Sequence, residues 1–181
     1  TIINAPDLGI DEIALPEEMA WVLFRERGIR ELVSRGNTIL KAQDSWDNKE
    51  PSAKQALLVA MASAPVLVNR HPSLHKYNIM GFWPKLSPNK AIGYHPLAMK
   101  MMNADVDGDR VHVFVPVLPQ SIEEAKRMLV SNNLFNPRDA SLIVLPDQEA
   151  VQGLYLMTRN PGPEREAIDA LLPEPLRDKT R

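Results

Sequence analysis

Asn103-Ala104-Asp105-Val106-Asp107-Gly108-Asp109, running on through Arg110 into Val111-His112-Val113-Phe114-Val115, is the stretch that decides how this chain is read. Three carboxylates stand at i, i+2 and i+4 around one glycine, and a β-type run follows. Anions this close repel unless a cation sits among them. Gly108 lets the backbone turn so that Asp105, Asp107 and Asp109 can converge on one point. Oxygen donors of this kind suit a hard divalent ion, magnesium or calcium. An EF-hand is the obvious rival. Counted from Asp105, its sixth position needs glycine and its twelfth glutamate. Arg110 and Pro116 occupy those places, so that reading fails. The plainer alternative is a polar hairpin turn, since Asp and Gly favour turns.

Outward from this loop, a second cluster is Asn69-Arg70-His71-Pro72-Ser73-Leu74-His75-Lys76. An arginine there can hold a phosphate or a ribose hydroxyl in a fixed fork. A solvated basic turn is the competing reading. His71 and His75 have helical spacing for a metal, but Pro72 argues against a helix between them. His95-Pro96-Leu97 precedes Met99, Met101 and Met102, which read as core packing with one satisfied histidine.

The chain has 181 residues, 44% hydrophobic, enough for one domain with a sizeable core. No apolar run approaches the ~18 residues that span a bilayer, so no membrane partner is expected. There is no cysteine, which excludes disulfides and thiolate metal sites and fits a cytoplasmic setting. The net charge of −2 does not mark a nucleic-acid binder, so any such grip must come from a local patch or from partner chains. Sixteen prolines, spread along the chain, predict a loop-rich fold.

Residues 1–15 read as strand or extended loop. Pro16-Glu17-Glu18 opens a helix whose apolar side is Met19, Val22, Leu23 and Ile29, and Gly36 stops the helix after it. Residues 41–51 are polar and predict a surface connection. Ser52 is expected to cap a helix through Ala62, with Ala56, Leu57, Val59 and Ala60 packing. Short strands are expected at Val66–Val68, Ile79–Trp83, Ala91-Ile92 and Val111–Val117, a pattern that suggests a small barrel. Ser121-Ile122-Glu123-Glu124 reads as a capping box for a helix through Ser131. Leu142–Leu145 reads as a strand, Asp147 as the cap of a helix ending near Thr158, Asn160–Pro163 as its break, and 164–172 as one short helix.

Taken together these segments resemble one family, the largest subunit of multisubunit RNA polymerases, called β′ in bacteria. The family pattern is roughly NRxPTLH, HPL and NADFDGD, matched in order by Asn69–His75, His95–Leu97 and Asn103–Asp109. Ser131-Asn132-Asn133 resembles its STNN, Pro146-Asp147-Gln148-Glu149 its PSQD, Gly153–Arg159 its GLYYMTR, and Leu15–Ala20 its helix start. The resemblance spans residues 1–159. It implies an α+β fold, a double-psi β-barrel with flanking helices. The divisions expected are 1–65 flanking the barrel, 66–120 barrel core with catalytic loop, 121–159 its continuation, and 160–181 a C-terminal tail.

The same resemblance implies function. Asp105, Asp107 and Asp109 are expected to hold a catalytic Mg2+, with a second ion arriving on the nucleoside triphosphate, in a two-metal transfer of nucleotides to the RNA 3′ end. Arg70 and Asn103 match residues near the incoming ribose. The activity is that of a DNA-directed RNA polymerase, a nucleotidyltransferase working only in a multisubunit assembly. Expected partners are β-like and remaining β′-like chains, template DNA, RNA product and NTPs. Two alternatives stand beside it: an RNA-templated polymerase of the same barrel class, and a non-catalytic metal-binding barrel module. Departures from the pattern are Val106 for phenylalanine, Arg110 for glutamine, His112 for a small residue, and His71 and Ser73 for alanine and threonine. The clamp, bridge helix and trigger loop of a complete subunit are not in this sequence, and after Arg159 the likeness ends. The expectation is a split subunit from a bacteriophage or similarly divergent source, at work in a bacterial or phage-infected cell.

Overall fold

In a computed structural model, the structure describes residues 1–146 and 148–159, with 162 and 166. By internal contacts the chain groups into two units, Thr1–Leu145 and Pro146–Arg181. The first unit runs β1 (Ile2–Asn4), β2 (Glu12–Pro16), α1 (Glu17–Leu23), α2 (Arg25–Ser34), α3 (Ile39–Asp47), α4 (Pro51–Ala62), β3 (Val66–Arg70), β4 (Ile79–Ser87), β5 (Ile92–Tyr94), α5 (Pro96–Met102), β6 (Val111–Phe114) and α6 (Pro119–Arg127). Two 3-10 turns, Lys76–Asn78 and Val130–Asn133, complete it. The second unit contains α7 (Gln148–Arg159).

The six strands form one mixed sheet in the order β1-β5-β2-β4-β3-β6. β1 lies parallel to β5 and β2 parallel to β4, while the β2–β5, β3–β4 and β3–β6 pairs are antiparallel. The sheet curls, and the Ile2 N–H donates to the Asp109 carbonyl at 3.2 Å, joining one outer strand to the residues just before the other. This is the expected α+β class, a double-psi barrel region with flanking helices. Inside the curl, Phe82 and Tyr94 meet edge-to-face at 5.1 Å between ring centroids. The buried Tyr94 hydroxyl donates to the Met102 sulfur at 3.3 Å, and burial pushes its pKa well up. Ile13, Leu15, Val66, Val68 and Met80 fill the remainder.

The flanking helices pack on the same core around a pair of tryptophans. Trp21 and Trp46 meet at 4.7 Å, and the Trp46 indole N–H donates to the Trp21 carbonyl. Gly28 lets α2 come this close: a Cβ there would lie 1.7 Å from Trp46 Cζ3.

Several local expectations are corrected. The connection expected over 41–51 shrinks to 48–50, because 41–47 belong to α3: Thr38 caps that helix, its hydroxyl accepting from the Lys41 N–H at 3.4 Å, and Ala42 and Trp46 are buried one turn apart. In α1, Val22 is 75% exposed and Trp21 is the residue that packs inward. Ser52 is not the cap of α4, because Glu50 is, with Pro51 in the first turn. Val59 of that helix is 46% exposed. The Ser121 capping box is absent, since α6 begins at Pro119 and puts Ser121 within the helix. Proline's fixed φ sets the start in both helices. Leu142–Leu145 forms no strand, only a single bridge from Leu142 to Phe135. β4 reaches Ser87 and β6 stops at Phe114. Gly36, at φ +94°, ends α2 as read. The Asp147 cap lies outside the described residues, as do the 160–163 break and the 164–172 helix apart from Gly162 and Glu166.

Candidate metal centre

α5 delivers the acidic loop. His95 precedes Pro96 at the helix start, and its Nδ1 accepts from the Leu97 N–H at 3.2 Å. Burial holds the His95 pKa below its ordinary value, which keeps that acceptor available. Ala98, Met99, Met101 and Met102 then bury the helix, as the methionine pattern led us to expect. Asn103 ends it in the left-handed region at φ 52°, a conformation asparagine tolerates better than most residues. The Asn103 N–H reaches the Lys100 carbonyl and the Ala104 N–H the Met99 carbonyl, at 3.1 and 3.0 Å. This double closure of the last turn fixes where the loop begins.

Within the loop, the Val106 N–H donates to Asp105 Oδ1 at 2.7 Å and the Asp105 N–H to Asp109 Oδ2 at 3.0 Å. Gly108 sits at φ +120°, where a side chain would be strained, and a Cβ there would meet nothing within 4 Å. Asp107 is exposed at the tip.

β3 brings the second cluster to the same place. Its antiparallel register with β6 pairs Arg70 with Val111 and Asn69 with His112. Arg70 Nε donates to Asp109 Oδ2 at 2.8 Å, with the two side chains only 16% and 20% exposed. The Arg70 guanidinium and the Asp105 amide hold the Asp109 carboxyl below its usual pKa, against the opposing pull of burial. The Arg70–Asp109 contact is a finding the sequence reading did not contain. It neutralises one of three crowded charges.

Among the described residues no three His, Asp or Glu side chains are gathered closely enough to hold a metal ion. The chemistry of the donor set nevertheless fits a hard cation: carboxylates on one short turn, with open space beside Gly108. Asn103 is exposed at the mouth of this turn, and among the described residues no hydrogen bond joins it to Arg70. His71 and His112, both departures from the family pattern, meet edge-on at 4.7 Å. Behind them Asn69 lies 3.4 Å from His71 Nε2 and accepts from the Ser73 hydroxyl at 2.7 Å.

The Ser131-Asn132-Asn133 match has a structural part. Asn132 and Asn133 donate to the Lys126 and Arg127 carbonyls, finishing the C-terminal end of α6. One residue escaped the sequence reading altogether. Asn78, 1% exposed, accepts from the Leu74 and His75 amides and donates to the Met102 carbonyl at 2.8 Å. It ties the residues after Arg70 to the end of α5. Its only sequence signal is a polar side chain at the threshold of an apolar strand.

With two distant segments meeting at Arg70 and Asp109, comparison with known proteins becomes decisive. The family described as RNA polymerase Rpb1, domain 2 matches residues 57–131. The DNA-directed RNA polymerase subunit beta′ of Flavobacterium johnsoniae is 42% identical over 161 residues, 87% of this chain and 11% of its own length. The chain belongs to the β′ subunit family of RNA polymerase. The corresponding subunits of Parabacteroides distasonis and Acholeplasma laidlawii are 39% and 38% identical, over 96% and 94% of this chain. This β′ region spans about a ninth of the length of the curated relatives it matches. Among the described residues no helix is long and apolar enough to cross a membrane.

Proposed function

We propose that this β′ region carries the catalytic loop of a DNA-directed RNA polymerase. Asp105, Asp107 and Asp109 hold Mg2+, and Arg70 and Asn103 meet the ribose of the incoming nucleoside triphosphate. The observation that carries this reading is the 2.8 Å contact between Arg70 and Asp109, which brings the Asn69–His75 segment up to the carboxylate loop. The names of the relatives supply the reaction class.

Bound at this loop and on the triphosphate, magnesium supplies the lowered pKa of the RNA 3′-hydroxyl and neutralisation of charge at the α-phosphate. The residues of the chain position. Asp107 is exposed at the tip, where a cation can reach it. Asp109 is oriented by Arg70 and by the Asp105 amide, so that one face of its carboxyl remains for a ligand. The Arg70 fork, fixed at Nε, leaves its terminal nitrogens to hydrogen-bond a ribose hydroxyl. Asn103, held by the closed end of α5, offers a donor and an acceptor to the same sugar. Such positioning is the protein's main contribution in phosphoryl transfer. Other polymerase chains, template DNA and RNA complete the assembly, in keeping with a slightly acidic region that has little nucleic-acid grip of its own.

The test is Asp107→Ala in the assembled enzyme. RNA synthesis should fall by at least about a thousandfold, with assembly by size-exclusion chromatography unchanged. Undiminished synthesis by an intact assembly refutes the assignment.

A further inference from the structure

The chain has four histidines, and two of them serve as caps. The His75 side chain accepts from the Asn78 amide in the 3-10 turn, and His95 Nδ1 accepts from the Leu97 N–H. The other two, His71 and His112, are exposed and meet each other. Each stands where the family pattern has a smaller residue, so the pair is a property of this chain.

Strand register brings them together. Asn69 of β3 lies directly opposite His112 of β6, and His71 follows two residues after Asn69. Side chains alternate across a strand, so Arg70 faces the other way, where Asp109 takes up its charge. Asn69 also orients the His71 ring. The Ser73 hydroxyl donates to Asn69 Oδ1 at 2.7 Å, which leaves the Asn69 amide nitrogen to face His71 Nε2 at 3.4 Å. A donor facing Nε2 assigns the imidazole lone pair to that nitrogen and the proton to Nδ1. This lone pair is what a metal ion takes. At 3.4 Å the amide holds it weakly, so an ion can displace the amide.

The spacing of the rings fits a shared ion. A ring centre lies about 3.2 Å from a metal bound at one ring nitrogen, a bond of about 2.0–2.1 Å plus half the ring. Two such rings stand about 4.5 Å apart when their bonds meet at a right angle, and about 5.2 Å apart at the tetrahedral angle. The His71 and His112 centroids are 4.7 Å apart, with their planes 83° from each other. Both rings are exposed and the outer torsion of histidine is soft, so each can turn a nitrogen toward a common point.

We propose that His71 and His112 bind one borderline divalent transition-metal ion, of the zinc and nickel class, through one ring nitrogen from each, with water in the remaining positions. Imidazole suits such ions, whereas magnesium and calcium prefer oxygen donors. The site is therefore chemically distinct from the carboxylate loop and does not rest on the polymerase reading. A bound ion links the end of β3 to β6, the two strands beside the Arg70–Asp109 contact.

Titration calorimetry on the full chain decides it, with ZnCl2 and NiCl2 as probes in a large excess of MgCl2, which supplies the carboxylate loop with a hard ion. His71→Ala and His112→Ala each break the chelate and should weaken binding by about tenfold or more. Asp107→Asn, which changes the carboxylate loop alone, should leave binding within about twofold. Saturating metal should raise the urea midpoint of the chain and leave that of either histidine variant in place. Both histidines are exposed, so in EDTA the variants should unfold at the parent midpoint. His112→Gln, which keeps the polar bulk, should lose binding as His112→Ala does. No binding of either ion, full affinity in either alanine variant, or a loss in Asp107→Asn as large as theirs would each overturn the site. Failure here leaves the Asp107→Ala synthesis result untouched, and the reverse holds as well.

Discussion

Replacing Asn78 by alanine isolates what ties the segment after Arg70 to the end of the helix that delivers the carboxylate loop. The side chain is 1% exposed and makes three hydrogen bonds to backbone, from the Leu74 and His75 amides at 3.1 and 3.0 Å and to the Met102 carbonyl at 2.8 Å. The two amides lie part-buried, so water can replace some of what they lose, at about 0.5–1 kcal/mol each. The Met102 carbonyl faces a buried partner, and leaving it unsatisfied costs about 1–2 kcal/mol. The sum is about 2–4 kcal/mol. Urea unfolding followed by tryptophan fluorescence measures it, since Trp21, Trp46 and Trp83 all lie in the Thr1–Leu145 unit. Asn78→Leu separates the hydrogen bonds from packing: it refills the volume and restores no partner, so it should be no more stable than the alanine variant. A loss below about 0.5 kcal/mol in Asn78→Ala, or recovery of wild-type stability in Asn78→Leu, refutes the tether.

Further outcomes follow from the helices. Gly28→Ala should destabilise by about 1–3 kcal/mol, because its methyl would meet the Trp46 ring and α2 must shift; an unchanged urea midpoint would count against the packing described. His95 has a folded pKa below the ordinary imidazole value of 6.5 because burial disfavours its charge. Its contribution to stability is therefore complete above that value and is lost as pH falls through the folded pKa. His95→Asn, which keeps a cap acceptor and does not titrate, should flatten the fall in stability between about pH 7 and 5. An equally steep fall in that variant would show that other groups cause it. Arg70→Gln leaves Asp109 without its guanidinium, and RNA synthesis by the assembly should fall by about tenfold or more with a raised KM for NTPs; an unchanged KM would remove Arg70 from the ribose.

The site was more legible in the sequence than the helices around it. The order NRxP, HPL, NADxDGD carries chemistry in residue identities, and residue identities are what a sequence displays. What it hid was pairing: Arg70 reads as a free cation, yet it belongs in large part to Asp109, 39 residues on. α3 was missed because Lys41, Gln43, Asp44 and Asp47 are polar, and of the residues that face inward, Ala42, Ser45 and Trp46, one is itself polar. In α1 the smaller Val22 looked like the core residue, but Trp21 had Trp46 to pack on, a partner invisible until the chain folds back. The Leu142–Leu145 run has strand composition but only one bridge to Phe135, so local propensity found no ladder to join. Asn78 could not have been singled out, since its value lies in a carbonyl 24 residues away.

The parallel pairing of β1 with β5 has a consequence for how such a chain comes into being. Ile2 finds Ile92 as its partner, and its amide reaches still further, to the carbonyl of Asp109. At a synthesis rate of about 5–20 residues per second, the first strand waits on the order of 5–20 s for its neighbour to be made. Contacts this distant in sequence also slow folding itself. α2 and α4 can pack against one another long before that moment, so the helices are ready early and the curl of the sheet is the last piece to close. The acidic loop, emerging later than every strand but β6, takes its final shape only when the earlier-made β1 comes back to meet it.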